Sequence, residues 1–346
     1  MYTRFPAWYG GVHMERKDVV TRQYLSSADV FADVVNLALY SGKRVVCATD
    51  LTELDAAEEI AITLEKSNTE TKQRKQTRVV QKYRDIMREV QVDGEDGYLA
   101  RIIVGVEEQS ETHYAMPVRN MLYDALNYSN QVRRIAEVNR REGITLSAAE
   151  FLSGIRKEDK LIPVVTIVVT FQPEAWDGPM NVHDMLDWKG IPSEIRARIP
   201  NYEMLLLQPS DYDEEKVSNP QSTFGVIMGL LKYASSMKDF QEYVDRHEDV
   251  LSNMPASAAA VLNEFCTLDM SEKELEEDEV IDMCQAVREM KEVSRQEGRQ
   301  EGRQEGRQEG AIKVYYQRMN YTAEQIAEEM NMDVEDVEKI IETLDD

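Results

Sequence analysis

The sequence predicts an α/β (α+β) protein, with a mixed β-sheet core flanked by helices and an α-helical C-terminal region. Three observations carry that expectation. Two apolar, β-branched runs, residues 102–106 (IIVGV) and 161–171 (LIPVVTIVVTF), read as buried strands. Between them, residues 117 to about 140 repeat apolar side chains at helical spacing, with Pro117 suited to the first turn. From about Asp211 onward the chain becomes helical, acidic and rich in Met.

Taken in order, residues 1–20 give little pattern. Residues 27–40 suit an amphipathic helix, with Ser26-Ser27 offering a cap and Ser41-Gly42 a stop. Val45-Val46 suggests a short strand, 51–54 leads into an acidic turn, and 65–76 reads as a loop or an exposed helix. Residues 84–92 alternate, and the turn chemistry of 93–97 (DGEDG) follows, so 84–92 and 98–107 are expected to form an antiparallel hairpin. Equal counting from that turn places Asp85 beside Glu107 across the ladder. Residues 204–207 supply one more strand, and the core order becomes α-β-β-α-β-β.

The formal charge of −25 argues against wholesale nucleic-acid binding, but its distribution is uneven. Residues 66–91 and 119–141 are net basic, whereas 239–282 is heavily acidic. Cys47, Cys266 and Cys284 are odd in number and far apart, which excludes a zinc ribbon and points to a reducing compartment. There is no apolar leader, and no apolar run nears the roughly 20 residues of a membrane helix. The expectation is a cytoplasmic protein with no membrane partner.

Chemistry concentrates in Asp85…Glu107-x-Gln109. Glu107 and Gln109 share one face of a strand whose preceding residues are buried, and polar groups placed there are costly unless something compensates them. Two converging carboxylates are hard oxygen ligands suited to Mg2+ or Mn2+, ions that can sharpen a water into a nucleophile and steady the charge on a phosphodiester. Gln109 could orient that water. Asp33, inside the first clear helix, is the candidate third acid. The basic stretch before Asp85, with Lys82 and Arg84, is a candidate for contact with a DNA backbone.

The segments YRDIM, VGVEEQS and MPVRNMLYDALNY, in this order, resemble the recombination-promoting nuclease/putative transposase family of the PD-(D/E)xK nuclease-like superfamily. The matching pieces are an Asp opening one strand (Asp85), a Glu-x-Gln-Ser closing the next (Glu107, Gln109, Ser110), and a Met-Pro-x-Arg-x-x-x-Tyr helix start (Met116, Pro117, Arg119, Tyr123). The resemblance implies a restriction-endonuclease-like core and metal-dependent cleavage of DNA, with Asp85 and Glu107 as metal ligands and Gln109 as a third catalytic residue. Gln109 stands where the superfamily usually has Lys, and an amide supplies no positive charge to a transition state. Arg119 is the candidate to supply it, and Tyr123 is a further candidate for phosphate or DNA contact. The alternative is a catalytically weak or inactive DNA- or protein-binding module that oligomerises through its C-terminal region.

That region holds four copies of Arg-Gln-Glu-Gly at 295–310. Like charges recur at i+4, and glycine weakens helices, so both a helix and a flexible spacer are compatible with the repeat. The tail reads as two short helices, the first capped by Thr322 with Gln325 reciprocating. It resembles a helix-turn-helix, but its acidity favours protein contact or capping over groove reading. The expected organisation is a nuclease-like core over 1–210, an acidic helical region over 211–293, the repeat as linker or helix over 294–310, and a helical tail over 311–346. A homo-oligomer held by the repeat and tail is the expected assembly.

Overall fold

The computed structural model describes residues 16–55, 57–64, 76–94, 98–217, 220–266, 270–277, 279–319 and 321–345. The chain divides into two compact units, Met1–Met283 and Cys284–Asp346. The first is built on a mixed five-stranded sheet. Its strands are β1 (Leu51–Glu53), β4 (Ile86–Asp93), β5 (Leu99–Gln109), β6 (Val164–Thr170) and β7 (Leu205–Leu207), in that spatial order. Strands β1, β4 and β5 pair antiparallel, and β5, β6 and β7 pair parallel. Between β1 and β4 the chain forms a separate antiparallel pair, β2 (Ala57–Leu64) and β3 (Gln76–Tyr83). Neither strand is among the elements expected from the sequence, and 65–75, most of the segment expected as a loop or exposed helix, lies outside the described residues.

The expected hairpin is present. Ile86 pairs with Val106 and Asp93 with Leu99, and Asp85 is the bend residue just before the ladder begins, with its carboxylate on the Glu108 N–H. Strand β5 is longer than expected, running through Gln109, and its last seven residues are buried. Residues one apart along such a strand face opposite sides of the sheet. Glu107 is in register with Val168, which packs with Met116, Met204 and Trp176, so this face lies under α3 (Met116–Arg141). Glu108 is in register with Val169 and turns to the other face, covered by α1 (Arg16–Leu25) and α2 (Ala28–Tyr40).

The expected Val45-Val46 strand is absent. Asn36 holds this segment as a loop instead: its amide donates to the Val46 carbonyl at 2.8 Å and accepts from the Val45 and Val46 N–H groups at 3.0 and 2.8 Å. Satisfying those backbone groups with a side chain removes the need for a ladder. Beyond α3 come the short helices α4 (Ala148–Ser153) and α5 (Ser193–Arg196), then α6 (Phe224–Lys232), α7 (Met237–Arg246), α8 (Glu248–Leu251), α9 (Ala256–Cys266) and α10 (Glu272–Glu277). A two-residue pair, β8 (Met254–Pro255) and β9 (Val280–Ile281), ties the ends of α9 and α10. These helices are not apart from the sheet. Phe171, just past β6, packs its ring against Tyr24, Phe224 and Phe265 with centroids 6.4, 6.1 and 5.8 Å away.

In the second unit the Arg-Gln-Glu-Gly repeat is helical throughout, as part of α11 (Met283–Met319). Helices α12 (Ala323–Met330) and α13 (Val334–Asp345) follow, and Ile312, Ile326, Ala327 and Val337 form their buried cluster. Thr322 and Gln325 make the reciprocal cap, with the Thr322 N–H donating to the Gln325 side chain at 3.0 Å. Among the described residues no helix is long and apolar enough to cross a membrane, and all three cysteines are free thiols.

Candidate active site

The C-terminal end of β5 delivers two successive carboxyl groups to opposite faces of the sheet. Glu107 is fully buried and Glu108 is 6% exposed. Asp85, one residue before β4, accepts a hydrogen bond from the Glu108 N–H at 2.9 Å, which locks the two strand ends together. The other wall is the start of α3, where Pro117 sits in the first turn without needing to donate a backbone hydrogen bond. One turn on, Arg119 Nη2 lies 3.0 Å from Glu107 Oε2 while its Nε donates to the Tyr123 hydroxyl at 3.1 Å. The Glu107 contact is an ion pair without hydrogen-bond alignment. Among the described residues neither Glu107 oxygen accepts a well-aligned hydrogen bond, nor does Glu108 Oε1, although the Asp85 N–H is near enough to Glu107 to favour its charged form.

Electrostatics follow from that placement. Burial, then the nearby Asp85 charge, pushes the Glu107 carboxyl up to about 8, against the pull of Arg119 and Arg84. Burial, followed by Asp18 and Asp85, pushes Glu108 up to about 8 as well. Asp85 is raised by burial and held back by the Glu108 N–H and Arg119. The imidazole of His113 is lowered by burial and by Arg119. An open cleft of about 320 Å³ is lined among others by Asp85, Glu108, Gln109, His113, Arg119 and, from α1, Asp18, while Glu107 is buried behind Arg119 and does not line it. Gln109 is nearly buried, and its amide donates to the Glu108 carbonyl, which aligns the end of the strand.

Several candidates sit elsewhere. Asp33 does not join Glu107: its carboxylate accepts from the Gln221 and Ser222 N–H groups and the Ser222 hydroxyl, all within 3.1 Å, and so ties α2 to the entry of α6. The helix acid at the cleft is Asp18, in the segment whose sequence carried no pattern. Arg84 is unavailable to a phosphate. It is fully buried, donating from Nη2 to Asp124 at 2.7 Å and from Nη1 to Thr166 at 2.8 Å. Gly105 makes the room, because a Cβ there would lie 2.1 Å from Arg84 Nη1. Tyr123 is 5% exposed and braces Arg119 rather than facing solvent. Lys82 lies on β3, and its side chain is outside those described.

Among the described residues no three His, Cys, Asp or Glu side chains form a ready metal cage. The hard donors present are the oxygens of Asp85 and Glu107, and Mg2+ commonly uses only one or two carboxylates beside water and substrate oxygens. A family model described as "Putative transposase, YhgA-like" matches residues 43–261, which include Asp85, Glu107, Gln109 and Arg119. No curated protein and no solved structure matches the chain.

Proposed function

Because the chain belongs to the YhgA-like putative transposase family, we propose that it is a metal-dependent DNA endonuclease hydrolysing phosphodiester bonds. One observation carries the reading. A carboxylate as buried as Glu107, with neither oxygen accepting a well-formed hydrogen bond among the described residues and the Asp85 charge nearby, is a costly arrangement that an added cation would relieve. The mixed sheet with flanking helices accords with the PD-(D/E)xK nuclease-like core that the sequence resembles. Asp85 and Glu107 would hold Mg2+ or Mn2+. Such an ion supplies an activated water and neutralises charge on the phosphoryl group.

The chain's own residues do the rest. Glu107 gives up its proton when a cation is bound, which couples binding to pH. Arg119, tethered by Tyr123 and only partly exposed, supplies the fixed positive charge that Gln109 cannot. Gln109 uses one amide hydrogen on the Glu108 carbonyl and retains a second donor and its carbonyl for a water or a phosphate oxygen.

The test is plasmid nicking by purified protein with Mg2+, beside Glu107→Gln. The expected result is nicking by the natural chain and its loss in the variant. Equal nicking, or none by either, overturns the assignment. The second outcome favours the alternative, a binding module that oligomerises through its C-terminal unit, which the absence of Lys at Gln109 would also suit.

A further inference from the structure

A second cleft, of about 340 Å³, lies on the α3 face of the sheet and is separate from the one at Asp85. Its apolar lining comes from Met87, Ile103, Ile135 and Ile162, and its charged lining from Arg101, Arg134 and Lys160 against Asp55 and Glu89. Arg134 and Lys160 are exposed, and among the described residues neither has an ion-pair or hydrogen-bond partner. Arg101 is already paired with Glu89 at 3.2 Å. In a chain of charge −25, two unengaged cations beside an apolar lining are an exception to the surrounding field. They would attract an anion whose remainder is apolar or aromatic.

The position of this cleft relative to Glu107 is set by the two elements that build both sites. Along β5, Ile103 and Arg101 precede Glu107 by four and six residues, roughly 13–20 Å at strand rise. Along α3, Arg134 follows Arg119 by fifteen residues, about 22 Å at helical rise. Together the two estimates span a separation of about four to seven base pairs of duplex at roughly 3.4 Å each.

We propose that this cleft is a second nucleic-acid subsite, in which Arg134 and Lys160 hold a backbone phosphate of the bound DNA about four to seven base pairs from the scissile bond. The apolar lining takes the adjoining sugar or base. The inference rests on DNA being the substrate, and it gives the path of that substrate along α3.

The test compares the natural chain with Arg134→Gln/Lys160→Gln and with Lys189→Gln/Arg198→Gln, a control that loses the same charge from exposed positions lining neither cleft. Binding of a labelled duplex is measured without divalent ions across a salt series, and nicking is measured with Mg2+. For the subsite variant, affinity should fall on the order of tenfold, and the slope of log affinity against log salt should shrink by about two. Its KM should rise with kcat unchanged. The control should do neither. An unchanged slope and KM, or an equal loss in the control, overturns the subsite. So does competition by a free mononucleotide as strong as that by duplex, which would make it a nucleotide pocket. Because binding is read apart from cleavage, a changed slope without any nicking would uphold the subsite and sink only the endonuclease reading. No DNA binding at all would sink both.

Discussion

Two buried carboxylates on α3's side of the sheet are treated in opposite ways. Asp124 is satisfied on both oxygens: Oδ1 accepts from Arg84 and from the Thr166 hydroxyl at 2.7 Å each, and Oδ2 accepts from the Tyr202 hydroxyl at 2.6 Å. Glu107 is more deeply buried and accepts no well-aligned hydrogen bond among the described residues; its ion-pair partner, Arg119, is out of alignment. Burying a charge is tolerable when its lone pairs are filled, and removing a partner from such a pair leaves an uncompensated ion. Asp124 is therefore a satisfied acid and Glu107 an unsatisfied one. The contrast lies in partners, since both residues are acids on the same face.

Breaking the satisfied network should have the largest effect. Asp124→Ala strands a fully buried Arg84 and should lower unfolding free energy by about 3–5 kcal/mol, read by denaturant titration. A loss below about 1 kcal/mol, the value of an exposed pair, would erase the distinction. Gly105→Ala comes next. Its methyl group displaces the pinned guanidinium, and overpacking of this kind should destabilise by about 1–3 kcal/mol with cleavage lost only in proportion to folded protein.

Glu107→Gln should act with the opposite sign. The folded carboxyl is raised to about 8 from an ordinary 4.5, so its contribution is fully present below 4.5 and is lost as pH rises through 8. In chelator the variant should match the natural chain at low pH and exceed its melting temperature above pH 8. A variant less stable at every pH would place Glu107 beside Asp124 as a structural acid. The smallest effect concerns coupling. Cleavage should fall as pH drops below the Glu107 value, and more Mg2+ should move that limb to lower pH, because cation and proton compete for one carboxylate. A limb indifferent to Mg2+ concentration would separate Glu107 from the metal.

Much of this contrast was hidden in the sequence, for a definite reason. The hairpin was legible because alternation and a glycine-rich turn are local, and counting from the turn brought Asp85 to the end of β5, where it meets the Glu108 N–H just outside the ladder. Arg84, adjacent to Asp85, read as a surface cation near DNA. Its real partners, Asp124 and Thr166, are 40 and 82 positions away, and the glycine that admits it looked like a gap in an apolar run. The β2–β3 pair was missed because nothing local distinguished its strands from charged loop. Asp33 and Asp18 were exchanged because helical periodicity shows which residues face inward, but not which neighbour waits there.

The sequence by itself determined the elements whose signals are short in range: the two apolar strands, the proline-started helix, the Thr322 cap, and the hairpin that brings Asp85 to the end of β5. Tertiary structure alone decided which charged residues are consumed and which are left over. It filled Asp124, occupied Asp33 with the entry to α6, enclosed Arg84, and left Glu107 without well-aligned hydrogen bonds among the described residues. The physical reason is that hydrogen-bond satisfaction is a property of groups brought together from distant positions, while periodicity and turn chemistry act between near neighbours.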